Sequence, residues 1–236
     1  MSDKEKGIFF PKVDFRIEDA MILSINDASH AASFIDGGQA MLGHRSQAGR
    51  ILALASRDFA TTGKGKVHLL EWSSTCIKRV CRSTLQAETL SLQLGSEGAE
   101  HVRQMLFVIQ NRAKSQKPNS YFVEAIDHTL VQWCTDCRSL SDHLTNPGMT
   151  EVSDKRLAID LTSLRQDLWR EKGQEVGNPT YKDSLPEDGT TCIRWISTGT
   201  MVADGLTKGM KSPQLALLTE KGEIAVEYEA HGSEMC

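Results

Sequence analysis

Three runs of strand length come before the first long helical pattern in this chain, and that order constrains the fold more than any other feature. Ala20-Met21-Ile22-Leu23-Ser24-Ile25 is apolar and partly β-branched, as a buried strand requires. Residues 49–56 and 67–73 read as two more strands, the pair separated by the turn-rich connector Thr61-Thr62-Gly63-Lys64-Gly65-Lys66. Sequential strands with a short connection make an antiparallel meander. Ser83 then offers an N-cap, and Gln86 three residues on completes a capping box. Leu85, Leu92, Ala99, Val102, Leu106 and Ile109 recur on a helical period, which predicts a long helix to about residue 109. Gly95 and Gly98 each cost that helix about 1 kcal/mol against alanine, so a kink or break near them would be no surprise.

Residues 113–120 read as a loop and residues 129–135 as a fourth strand, with a helix expected after Asp136. Ser153-Asp154-Lys155 opens an amphipathic helix that runs through Leu157, Leu161, Leu164 and Leu168 to about residue 171. A connector rich in Gly, Pro and Asp follows over 173–191, then a fifth strand at 192–196 and a closing helix that begins at Asp204. The string β-β-β-α-β-α-α-β-α implies an α/β fold with a mixed sheet and helices packed on it.

At 236 residues, with 39% hydrophobic and 25% charged residues, the chain can bury a sizeable core. No run of about 18 apolar residues is present, and the polar start Met1-Ser2-Asp3-Lys4-Glu5-Lys6 has no apolar stretch behind it, so neither a membrane span nor a signal peptide is expected. The expectation is an intracellular protein with no membrane partner. Six cysteines are scattered through strand-like and helix-like text, which predicts reduced thiols rather than a disulfide framework. Cys134-Thr135-Asp136-Cys137 has C-x-x-C spacing but no second pair to complete a zinc site. The net charge of -4 hides an uneven distribution. Between Arg45 and Arg82 eight basic residues face two acidic ones, a balance of +6, whereas Glu220 to Cys236 carries -4. A basic segment on a neutral body suits contact with a phosphate backbone, and the C-terminus reads as a solvated acidic tail.

Four carboxylates sit in short signatures of their own: Asp27 in Ile-Asn-Asp-Ala, Glu88 in Ser-Thr-Leu-Gln-Ala-Glu, Asp136 in Trp-Cys-Thr-Asp, and Asp204 in Val-Ala-Asp-Gly-Leu-Thr-Lys. Two fall at strand ends and two near helix starts. Oxygen ligands from such positions can clamp hard divalent cations and cut a phosphodiester without a His or Cys cage.

From about Ser24 to Lys208 the sequence resembles the ribonuclease H domain of copia-type LTR retrotransposon Pol polyproteins. Asp27-Ala28 resembles the family's D-A, Arg45-Ser46-Gln47-Ala48-Gly49 its R-S-T-S-G, and Trp72-Ser73-Ser74 its W-S-S. Ser83-Thr84 with Ala87-Glu88 resembles S-T-x-x-A-E, and Thr198 through Ala203-Asp204-Gly205-Leu206-Thr207-Lys208 resembles T-x-x-x-x-A-D-x-L-T-K. Thr135-Asp136 falls in the correct gap. The resemblance implies a ribonuclease H-like fold with a five-stranded mixed sheet, and hydrolysis of the RNA strand of RNA-DNA hybrids by two Mg²⁺ ions, for which Mn²⁺ could substitute. It implies Asp27, Glu88, Asp136 and Asp204 as catalytic metal ligands: Asp27 between both ions, Glu88 and Asp136 on one, Asp204 on the other. Hybrid recognition by shape, 2′-hydroxyls and phosphates would draw on Arg45, Ser46, Ser73, Ser74, Lys78, Arg79 and Arg82.

The sequence departs from the family in three places. His30 stands where Trp is usual, and a packed, non-catalytic histidine is expected there. Cys137 replaces Asn after the third Asp. Lys155-Arg156-Leu157-Ala158-Ile159-Asp160 matches a K-H-I-D stretch imperfectly, which leaves Asp160 as the rival to Asp204 for fourth ligand. The domain reading is a lead or remnant of a connection to a reverse transcriptase over 1–20, a ribonuclease H-like domain over 21–212, and an acidic tail over 213–236. A reverse transcriptase domain of the same polyprotein is the expected partner. A catalytically weak or inactive nucleic-acid-binding derivative stands as the alternative, ahead of a DNA-cleaving relative of the same broad fold.

Overall fold

The computed structural model describes residues 7–30, 34–36, 39–41, 45–110, 129–145, 151–171, 193–208 and 212–229. In chain order these hold β1 (Ala20–Ser29), a small hairpin of β2 (Phe34–Asp36) and β3 (Gln39–Met41), β4 (Gln47–Ser56), a helical turn α1 (Phe59–Thr62) and β5 (Lys64–Cys76). Then come α2 (Thr84–Gln110), β6 (Val131–Thr135), α3 (Arg138–Thr145), α4 (Lys155–Glu171), β7 (Ile193–Trp195), α5 (Asp204–Thr207), α6 (Pro213–Lys221) and β8 (Glu223–Ala225).

The main sheet has the order β7-β6-β1-β4-β5-β8. β1 pairs antiparallel with β4 from Ala20↔Ser56 to Ser29↔Gln47, and β4 pairs antiparallel with β5 through a bulge at Leu52/Ala53. β6 joins β1 in parallel, with Ile22 opposite Val131, and β7 joins β6 in parallel. A meander extended by two parallel strands, with α2 crossing between them, is the mixed α/β class expected from the sequence. The sheet has six strands rather than five.

The sixth strand comes from the stretch read as an acidic tail. β8 pairs with β5 at Lys64–Lys66, and Leu218, Ile224 and Val226 are buried in the core. Ser212 caps α6 by accepting from Leu215 N at 3.1 Å, and Gly222, at φ 65°, ends it. The glutamates that set the local charge sit between apolar residues that find a sheet to cover, so up to Glu229 the segment packs instead of trailing in solvent. The lead is docked too, since Phe9 N donates to Thr219 O at 2.8 Å.

β1 explains its own composition. Leu23 and Ile25 point into one core with Ile51, Val67, Val202 and Leu218, while Ile22 points into another with Leu92, Leu106, Leu161 and Leu164. A strand covered on both faces reads as a continuous apolar run rather than an alternating one.

α2 runs continuously through its glycines to Gln110, as the long helix read from the sequence required. A Cβ at Gly95 would lie 1.9 Å from Asn26 Oδ1, so the glycine lets the helix approach β1 closely. Part of the turn-rich connector folds as α1, and β5 starts at Lys64 and reaches Cys76, beyond both limits read from the sequence. The loop at 113–120, the connector at 173–191 and residue 192, the start of the fifth strand read from the sequence, lie outside the described residues. The four described cysteines, Cys76, Cys81, Cys134 and Cys137, are free thiols. Among the described residues no helix is long and apolar enough to cross a membrane.

Candidate functional site

Parallel pairing brings the first two carboxylates together. Ile25 lies opposite Cys134, so the next residues facing the same way, Asp27 and Asp136, leave β1 and β6 side by side at their C-terminal ends. Glu88 arrives from α2, one turn into the helix, and accepts a hydrogen bond from the Ala28 backbone amide. One carboxylate oxygen from each of Asp27, Glu88 and Asp136 lies within 4.8 Å of the other two.

These groups are held where a carboxylate resists ionising. Burial pushes Glu88 up to about 9, with further contributions from the charges of Asp27 and Asp136. Asp27 is pushed up to about 6, first by burial and then by Asp136 and Asp204, against a lowering hydrogen bond from Thr207. Asp136 is raised by burial and by Asp204, partly offset by a hydrogen bond from Thr198. Two buried acids and a half-buried one that repel one another make a centre short of positive charge. An all-oxygen donor set of this kind fits a hard divalent cation.

Asp204 opens α5 beside this group, and its charge is felt at both Asp27 and Asp136. Its Oδ1 lies 2.5 Å from Lys208 Nζ, the closest contact of its carboxylate among the described hydrogen bonds. Asp160, the rival, is buried on α4 and accepts from Arg79 Nη1 at 3.1 Å. Gly49 on β4 lets α5 lie close over the sheet, because a Cβ there would meet Thr207 Cγ2 at 2.7 Å and Ala203 O at 3.0 Å.

A ring of supporting groups had no role assigned from sequence. The Thr207 hydroxyl donates to Asp27 Oδ2, and Thr198 bonds the Asp136 side chain. Ser91 Oγ donates to the Asp27 carbonyl at 2.8 Å, and Trp195 Nε1 donates to the Asp136 carbonyl at 3.2 Å. Thr198, Thr207 and Lys208 lie inside the last sequence block, so their signal was present without a function attached. Ser91 follows Glu88 by three residues, the spacing of one helix face. Trp195 carries no comparable signal.

The residues expected to touch a hybrid are spread along β4, β5 and the entry to α2. Arg45, Lys78, Arg79 and Arg82 are exposed, with Arg82 4.0 Å from Asp154 Oδ2 and Arg79 bonded to Asp160. Ser73 and Ser74 lie opposite Arg50 and Gly49. Ser74 Oγ donates to Leu206 O at 2.5 Å and accepts from Gln47 Nε2 at 2.8 Å, which ties β5 to α5. Ser46 is 1% exposed, and its carbonyl accepts from Ile77 N, so its side chain is turned away from any docked strand. His30 Nε2 lies 3.1 Å from Cys81 O. The Cys137 thiol, pushed up by burial, lies 3.3 Å from Ser139 Oγ.

No family model matches the chain, and no curated protein matches it either. Among solved structures it is similar to LC11-RNase H1, isolated from compost by a metagenomic approach, at 13% identity over 84% of this chain and 98% of that one. The TM-score is 0.43, a likeness too slight to bear on chemistry, so the case for the site rests on its own geometry.

Proposed function

We propose that this chain is a metal-dependent ribonuclease H that hydrolyses the RNA strand of RNA-DNA hybrids in the reverse transcription of a copia-type retrotransposon. The observation that carries the reading is the cluster of buried Asp27 and Glu88 with half-buried Asp136, whose oxygens converge at the ends of parallel strands. Asp27, Glu88 and Asp136, with Asp204 beside them, would hold Mg²⁺ or Mn²⁺, which supplies Lewis acidity toward the scissile phosphate and a more acidic bound water. Thr207 and Ser91 fix Asp27, while Thr198 and Trp195 fix Asp136, so the carboxylates keep their positions against mutual repulsion. Arg45, Lys78, Arg79 and Arg82 would meet phosphates of the hybrid, and Ser73 its sugar edge. A reverse transcriptase domain of the same polyprotein is the proposed partner.

A non-cleaving binding module is the second reading, favoured by the engagement of Asp204 with Lys208. Cleavage of a labelled RNA-DNA hybrid in Mg²⁺ or Mn²⁺, compared with Asp136→Asn, separates the two. The nuclease reading expects metal-dependent cutting by the wild type and a loss of at least about a hundredfold in the variant. Equal behaviour of both proteins, with the hybrid bound but uncut, favours the module.

A further inference from the structure

Lys208 sits among the acids of the centre. Its ammonium lies 2.5 Å from Asp204 Oδ1, and its charge acts on Asp27, Glu88 and Asp136 as well. An ion pair four residues apart on an exposed helix face has no reason to reach three further carboxylates. Here α5 is a single turn over the sheet, and Lys208 follows directly at its C-cap with the backbone extended.

Resting on the proposed metal-binding reading, we infer that Lys208 is a resident cation of the carboxylate centre, which competes with divalent metal for Asp204 and must swing away before Asp204 can become a ligand. Four acidic side chains converge on this end of the sheet, and Lys208 supplies a single positive charge toward them. An ammonium at hydrogen-bond distance takes up the oxygen that a metal would need. Its charge also opposes the approach of a second cation, an interaction strong at this range in a partly buried setting. With 39% of its side chain exposed, Lys208 has solvent to move into. Metal occupancy at Asp204 would then follow the position of one side chain rather than metal concentration alone.

The test is Mn²⁺ titration of the full chain by calorimetry, comparing wild type with Lys208→Met and Lys208→Arg. The methionine variant is expected to bind its weaker Mn²⁺ about tenfold more tightly than wild type, and the arginine variant to resemble wild type. A second measurement needs no variant: acetylation of Lys208 by acetic anhydride, followed by mass spectrometry, should rise severalfold when Mn²⁺ is added to wild-type protein. Unchanged affinity in Lys208→Met, or unchanged acetylation on metal addition, overturns the inference while leaving the metal reading intact. If neither protein binds Mn²⁺, both fall together.

Discussion

Glu88 is the carboxylate with most to gain from a nearby cation, and its protonation links the site to stability. With its folded value pushed up to about 9 from 4.5, the folded state holds a proton across that interval that the unfolded state has released. Raising the pH through the interval therefore favours unfolding, by up to about 1.4 kcal/mol per pH unit for this one group. In EDTA, the urea midpoint should fall as pH rises from 5 to 9, and Glu88→Gln should flatten the decline. Saturating Mg²⁺ should restore stability to the wild type at pH 8 and much less to the variant. Thr207 bears on the same balance, because its hydroxyl stabilises ionised Asp27. Thr207→Val should move the acidic limb of the Mn²⁺-binding pH profile upward, with Thr207→Ser restoring it; an unmoved limb would remove Thr207 from the site. At this scale the acids themselves were legible, since few residue types can serve the chemistry. Their engagement was not: a long side chain such as Lys208 has many reachable partners, and Asp204 four residues before it is only one of them. Ser46 shows the same limit, because its motif gives no sign that its side chain is buried.

Helix α2 shows why intrinsic propensity alone does not account for an element. Glycine weakens a free helix, but at position 95 the alternative is a methyl group 1.9 Å from the buried Asn26 side chain. Gly95→Ala should destabilise the protein by about 2 kcal/mol or more in urea denaturation, despite the better helix former. A neutral or stabilising result would show that β1 and α2 can separate without cost. Gly49→Ala should act differently, by lifting α5 and with it Asp204 and Thr207. Its expected signature is a loss of hybrid cleavage exceeding any fall in melting temperature. The buried strands were readable because two covered faces leave an unbroken apolar run, whereas α6 and β8 were not. Their net charge dominated the reading, although charge does not decide whether the apolar residues between find a partner.

For the molecule as a whole, the C-terminal segment is structural. Leu218, Ile224 and Val226 are each at most 6% exposed, and burial of side chains of this kind contributes about 1.5–3 kcal/mol apiece. Three of them approach the entire stability of an ordinary domain. Truncation after Ser212 should therefore give a chain without a cooperative thermal transition by circular dichroism, and a sharp transition would return the segment to the status of an appendage. The parallel pairing of β1 with β6 reaches further. Ile22 meets Val131 across 109 residues of chain, so the acid at the end of β1 waits for a strand made much later. During synthesis, Asp27 and Glu88 exist long before Asp136 stands beside them. On the proposed function, hydrolytic competence cannot precede the docking of β6, and a chain that has not yet made that strand poses no threat to the nucleic acid around it.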